Sequence, residues 1–229
     1  MRLLLICFMT GFSSLSYEFM LAQMMALLEG NTIAYYCLTM ALYICALGFG
    51  ALKDTSKLRP EQVYLQLLRI EWGLVLLGGS SPILLTWFEL LPSLLDRVSV
   101  PSLLFPSLLV ILIGWLTGRE LPLMMRLAEI SKHESLVLTL LGLDYIASFV
   151  GALAFPLWIF PNFGMVQAGW LLACCNIVAA LLLRHQAKHA WSYGISLSLA
   201  LLIAFAFYFS QELQSYLSMV ISEKLNLEA

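Results

Sequence analysis

The stretch Gly114-Trp-Leu-Thr-Gly-Arg-Glu-Leu-Pro-Leu123 sets adjacent Arg119 and Glu120 inside a run that is otherwise apolar. A charge near the centre of a membrane helix costs about 2.5–3.5 kcal/mol on insertion scales, so such residues face a bundle interior, pair with each other or line a pathway. Gly114 and Gly118 form a small-residue face that lets a neighbouring backbone approach within van der Waals contact. Pro122 frees a carbonyl one turn back, which predicts a kink where the charges sit.

The rest of the chain supports a membrane setting. Of its 229 residues 61% are hydrophobic and 11% charged, against roughly 25% charged in soluble domains. The expected fold is all-α, a polytopic integral membrane helix bundle of about seven transmembrane helices over residues 1–210, followed by a short amphipathic tail over 211–229. With a net charge of −2 and no basic stripe, nucleic-acid binding is excluded. Cys7, Cys37, Cys45, Cys174 and Cys175 all lie in apolar runs and read as buried, reduced thiols, and no metal site is expected from them.

The first helix, 1–28, is too long for a signal-peptide core and carries Tyr17-Glu18. The second, 33–52, ends in a small-xxx-small pattern over Ala46–Gly50. The third, 63–91, contains Arg69, Glu71 and the patch Gly78-Gly-Ser-Ser-Pro82, which predicts a kink or a discontinuous helix. The fourth, 102–127, holds the opening stretch. The fifth, 135–160, holds Asp144-Tyr145 beside the packing pair Ala147 and Gly151. Pro161-Asn-Phe-Gly164 reads as a turn before a sixth helix, 165–183, and a seventh follows at 191–209. Leu213, Leu217, Val220 and Ile221 recur at helical spacing in the tail.

Positive charge gives an orientation. The second, fourth and sixth connections carry Lys53, Lys57, Arg59, Arg126, Lys132, Arg184 and Lys188, whereas the others carry only Arg97. The positive-inside rule then puts the N-terminus in the cytoplasm of a multi-pass inner-membrane protein and the C-terminus on the outer side. In this arrangement Glu71, Arg119, Glu120 and Asp144 reach a similar depth, with Glu18 nearer the middle. Such a layer has more acids than bases, so its carboxyls are partly protonated or a cation enters.

Ser16-Tyr-Glu18, Gly118-Arg-Glu-Leu-Pro122 and Asp144-Tyr-Ile-Ala-Ser-Phe-Val-Gly-Ala-Leu-Ala-Phe-Pro156, closed by Pro161-Asn-Phe-Gly164, resemble in order and spacing the membrane domain of the membrane-bound spermidine synthase-like proteins. The resemblance covers residues 1 to about 183. It implies a multi-helix membrane domain of a kind that precedes a Rossmann-like aminopropyltransferase domain acting on decarboxylated S-adenosylmethionine and a polyamine. That domain needs a Gly-rich loop after a strand, and the only Gly-Gly pair here, Gly78-Gly79, lies in an apolar run. The family's catalytic residues therefore find no positions in this sequence, and no cofactor is expected. Ala147 also stands where the family pattern has Gly, and Arg119 where an apolar or small residue is commoner.

For Tyr17, Glu18, Glu71, Arg119, Glu120, Asp144 and Tyr145 two readings stay open. They form either an internal polar network that fixes helix register or a ligand-contacting layer. His185 and His189 have metal-gripping spacing but no third ligand, so contact with headgroups is preferred. Met20, Met24, Met25, Met124 and Met125 read as core packing or lipid contact. The expected function is a non-catalytic membrane subunit or anchor associated with a soluble or membrane protein partner. The alternative is a small transporter or binding protein for an organic cation such as a polyamine.

Overall fold

A computed structural model describes residues 2–29, 32–94, 104–131 and 134–187, with the isolated positions 212, 215 and 219. The described residues form helices and contain no strand. These are α1 (Arg2–Glu29), α2 (Thr32–Ala51), α3 (Pro60–Leu94), α4 (Leu104–Gly118), α5 (Glu120–Ile130), α6 (Glu134–Ala154), a π-helical turn (Phe155–Ile159) and α7 (Phe160–Ala187).

Side-chain contacts fix the directions of these helices. Tyr43 of α2 reaches Ser14 of α1, and Phe19 of α1 meets Tyr36 of α2, so the first two run antiparallel. Gly114 lies on Tyr43 and Gly118 on Leu47, which makes α4 parallel to α2. Arg119 bonds Gln66, and Gly73 faces Leu116, so α3 opposes α4. On the other flank Cys7 lies against Leu140 and Gly151 against Phe12 and Ser16, which makes α6 parallel to α1. Gly79 meets Ala173 and Gly169 meets Pro82, so α7 opposes α3 and the chain reverses between α6 and α7.

Among the described residues five stretches are long and apolar enough to cross a membrane, the last being the 49 residues from Ser135 to Leu183. Because that last stretch folds back, the described residues hold six long helical runs, counting α4 and α5 as one, where seven helices are expected for the whole chain. The expected seventh helix, 191–209, lies outside the described residues, as does the amphipathic pattern of the tail apart from positions 212, 215 and 219.

The reversal has a local cause. Pro156 has no N–H to donate, and the helix widens there into a π turn in which the Phe160 N–H reaches the Phe155 carbonyl. Gly164 then takes φ 70, a conformation that costs a side-chain-bearing residue but not glycine. The turn expected at 161–164 is thus a kinked helical corner, with Asn162 Nδ2 donating to the Trp158 carbonyl at 2.6 Å.

The Gly78–Pro82 patch does not make the helix discontinuous, because α3 runs uninterrupted from Pro60 to Leu94. Pro82 cannot donate to the Gly78 carbonyl, and Ser81 Oγ donates to it instead at 2.7 Å. The glycines serve packing. A Cβ on Gly78 would stand 2.6 Å from the Tyr17 ring, and one on Gly79 would stand 2.9 Å from Ala173 Cβ. A side chain at either position would push α1 or α7 away from α3.

The kink expected near Pro122 is present, since α4 ends at Gly118 and α5 starts at Glu120, with Arg119 between them. The core joins α1, α3 and α7 through Tyr17, Leu21, Leu74 and Leu172. Met20, Met24, Met25 and Met124 are buried in it. The cysteine expectation is corrected, because only Cys7 is buried while Cys37, Cys45 and Cys174 are exposed. They share an outer surface with Phe49, Leu138, Phe149 and Leu157, each more than 60% exposed. An exterior with this many exposed large apolar side chains is what lipid tolerates and water does not.

Candidate functional site

Three apolar helices bring carboxyls into the interior. Glu71 comes from the N-terminal third of α3, Glu120 from the first residue of α5, and Asp144 from α6. Glu71 is fully buried, Glu120 nearly so, and Asp144 partly. Glu120 is within Coulombic reach of both Glu71 and Asp144, and Tyr17 of both glutamates. Asp144 Oδ1 lies over Gly11 of α1, where a Cβ would come within 2.7 Å of it. The backbone of α1 thus leaves room for a carboxyl that a larger residue would displace.

Both carboxylate oxygens of Glu71 and Oε1 of Glu120 are buried without a hydrogen-bond partner among the described residues. An isolated buried charge costs several kcal/mol even after relaxation, and two facing each other cost more. The two carboxyls are therefore accommodated by protonation or by a cation.

The other expected members are distributed differently. Arg119 does not join the acids. Its guanidinium donates to Gln66 Oε1 at 2.8 Å and stacks over the Trp115 ring, 5.0 Å from the centroid. Neighbouring positions on a helix point about 100° apart, so Arg119 leaves the bundle where Glu120 enters it. The Arg126–Glu129 contact at 3.2 Å is the ion pair among the described residues. Glu18 is 2% exposed but acts on Tyr36 and Tyr43, on the α2 side of α1. Tyr145 is 68% exposed and faces outward, away from Asp144's interior neighbours. The packing residues Gly114, Gly118, Ala147 and Gly151 all sit at helix contacts. A Cβ on Gly118 would overlap the Leu47 carbonyl, and one on Gly151 the Phe12 carbonyl.

Several polar residues join this interior that the sequence reading passed over. Asn176 of α7 accepts from Ser13 Oγ at 2.7 Å and donates to the Tyr17 hydroxyl at 3.2 Å. Tyr43 donates to the Ser14 carbonyl at 2.8 Å and meets Thr117 Oγ1 at 3.0 Å. Asn176 was signalled by being an amide deep in an apolar run, but Ser13, Tyr43 and Thr117 carry no such mark. Replacing Asn176 with Ala should strand the Tyr17 hydroxyl, leave Ser13 only its bond to the Thr10 carbonyl, and cost about 1–3 kcal/mol, read as a lowered unfolding temperature in detergent. An unchanged temperature would show that the bridge adds nothing to stability.

The chain is 36% identical over 206 residues to a polyamine aminopropyltransferase of Corynebacterium efficiens, a match covering 85% of this chain and 37% of the relative. The chain is a homologue of the polyamine aminopropyltransferases. It is 29% identical to polyamine aminopropyltransferase 1 of Streptomyces coelicolor, over 88% of this chain and 38% of that one. Against the polyamine aminopropyltransferase of Mycobacterium tuberculosis the identity is 32%, over 75% of this chain and 34% of the relative. The chain thus spans little more than a third of the length of these curated relatives. No family model matches it, and no solved structure does.

Proposed function

We propose that this chain is a multi-pass membrane module of the polyamine aminopropyltransferases, acting as a non-catalytic anchor or subunit that holds a partner enzyme at the bilayer. The observation that carries the proposal is the combination of the homology with the architecture. The match runs along most of this chain but little more than a third of each relative, and the matched part is a helix bundle with an apolar exterior. A surface of that kind has no use outside a bilayer or an apolar interface. The bundle is built for stability, with glycine-lined contacts between α2 and α4 and between α1 and α6. Its N-terminus and its basic connections face the cytoplasm of the inner membrane.

Membrane extraction tests the first half of this proposal. The chain in its native cells should stay in the membrane pellet through an alkaline carbonate wash and be released only by detergent. Release by the wash alone would contradict it.

A second reading is favoured by one specific observation, the buried Glu71 carboxyl and Glu120 Oε1, which have no hydrogen-bond partner among the described residues. A polyamine carries spaced ammonium groups, each able to donate to such a carboxylate. On this reading the module also binds an organic cation between α3 and α5, with Asp144 as a further acid nearby.

A further inference from the structure

The strongest feature not yet assigned a role is an open cavity of about 280 Å³, at the end of the bundle that carries the Lys53–Arg59 loop. Lys53, Gln66, Arg69, Ile70, Leu116 and Arg119 line it. Three elements contribute: the chain just beyond α2, the first turns of α3, and the break between α4 and α5. Three cations thus converge, and none has a carboxylate within ion-pair distance among the described residues. Cations collected from separate elements repel one another, which is tolerable when an anion is to be shared between them.

The loop's own acid does not fill that role. Asp54 is occupied by Ser56, whose backbone N–H donates to Oδ1 at 2.8 Å, and hydrogen bonds from Ser56 hold this exposed carboxyl below the usual carboxylate range. Asp54 stays charged as a loop cap and makes no ion pair with Lys53 among the described residues.

Arg119 is set in place before any ligand arrives. The Trp115 ring supports its guanidinium from one side and Gln66 accepts one of its donors, so its remaining N–H groups have a fixed direction. Arg69 and Lys53 are exposed and free to close on a bound group. Ile70 and Leu116 give the cavity an apolar part beside its charged rim. A volume near the low end of roughly 300–1,000 Å³ for ligand pockets is more than a bare anion needs and suits a headgroup-sized molecule.

We propose that this cavity binds a phosphate group, the anionic head of a phospholipid or a free phosphate-bearing solute, through Arg119, Arg69 and Lys53. Guanidinium forks match phosphate oxygens two at a time, and the ammonium adds a point charge. Basic cavities between helices at a membrane surface are suited to such heads, and the apolar part would receive the start of an acyl chain. Only the lipid source depends on the chain being membrane-embedded.

The test uses the purified chain in neutral detergent. Its unfolding temperature is followed in three titrations: phosphatidylglycerol in mixed micelles, phosphatidylcholine in the same micelles, and inorganic phosphate against chloride at matched ionic strength. A rise with phosphatidylglycerol alone supports a lipid head, and a rise with inorganic phosphate supports the free solute. In either case the Lys53→Gln/Arg69→Gln double variant should bind about ten-fold or more weakly, the loss expected for charge-assisted hydrogen bonds. Both positions are exposed, so the double variant should fold as the parent does. Lys57→Gln, in the same loop but outside the cavity lining, should bind like the parent. No rise in any titration, an undiminished rise in the double variant, or an equal loss in Lys57→Gln would overturn the site.

Discussion

Replacing Gly118 with Val is expected to abolish the native bundle. The position of its Cβ is already filled by the Leu47 backbone of α2, and the Gly50 backbone faces it from the same helix. Ordinary overpacking of a core costs about 1–3 kcal/mol because side chains can shift. Here the obstacle is main chain, so α2 and α4 must separate, and Tyr43 must lose Thr117. The variant should elute as aggregate or unfold far below the parent in detergent. Gly48→Ala is the matched control, two residues from Gly50 with nothing within 4 Å of the added carbon. It should match or slightly exceed the parent, since alanine favours the helix over glycine by up to about 1 kcal/mol. A well-behaved Gly118→Val would show that α2 and α4 do not pack in this way.

The second large effect concerns the buried acids. If the Glu71 and Glu120 carboxyls receive an organic cation, spermidine should raise the unfolding temperature of the parent. A ligand at a hundred times its dissociation constant adds about 2.7 kcal/mol to stability. Glu120→Gln and Glu71→Gln should lose most of that shift. Without spermidine each variant should be at least as stable as the parent, because removing one member of an unpartnered acidic pair relieves repulsion and desolvation. That sign is the informative part. A structural network would respond in the opposite way, with the variants less stable and the spermidine shift, if any, retained. Absence of any shift in the parent would remove the cation reading.

The features legible in the sequence were those with a local physical signature. Gly114 and Gly118 announced a helix contact by spacing, and Pro122 announced the break between α4 and α5. Pro161 and Gly164 marked the corner in the first turns of α7. What failed to show depended on neighbours. The Gly78–Pro82 patch looks like a breaker when only local propensity is counted. In the fold its glycines admit Tyr17 and Trp170, and Ser81 compensates for the missing proline N–H.

Arg119 and Glu120 were placed in one layer by their depth, but adjacency on a helix sends side chains apart. Tyr145 was grouped with Asp144 for the same reason and faces outward. Asn176 was missed because its partners, Ser13 and Tyr17, are more than 150 residues away in sequence. Sequence spacing ranks depth along a helix well, and it says little about which side of that helix meets which neighbour.

The most direct test of the proposed anchoring role is purification of the chain from its native membrane in mild detergent, with the eluate assayed for aminopropyl transfer to a polyamine. Transfer activity that elutes with the chain in fixed ratio, and is lost when Gly118→Val is purified in its place, is the predicted result. A folded chain that elutes free of both activity and partner, while the cell's transferase activity stays in the soluble fraction, would contradict an anchoring role.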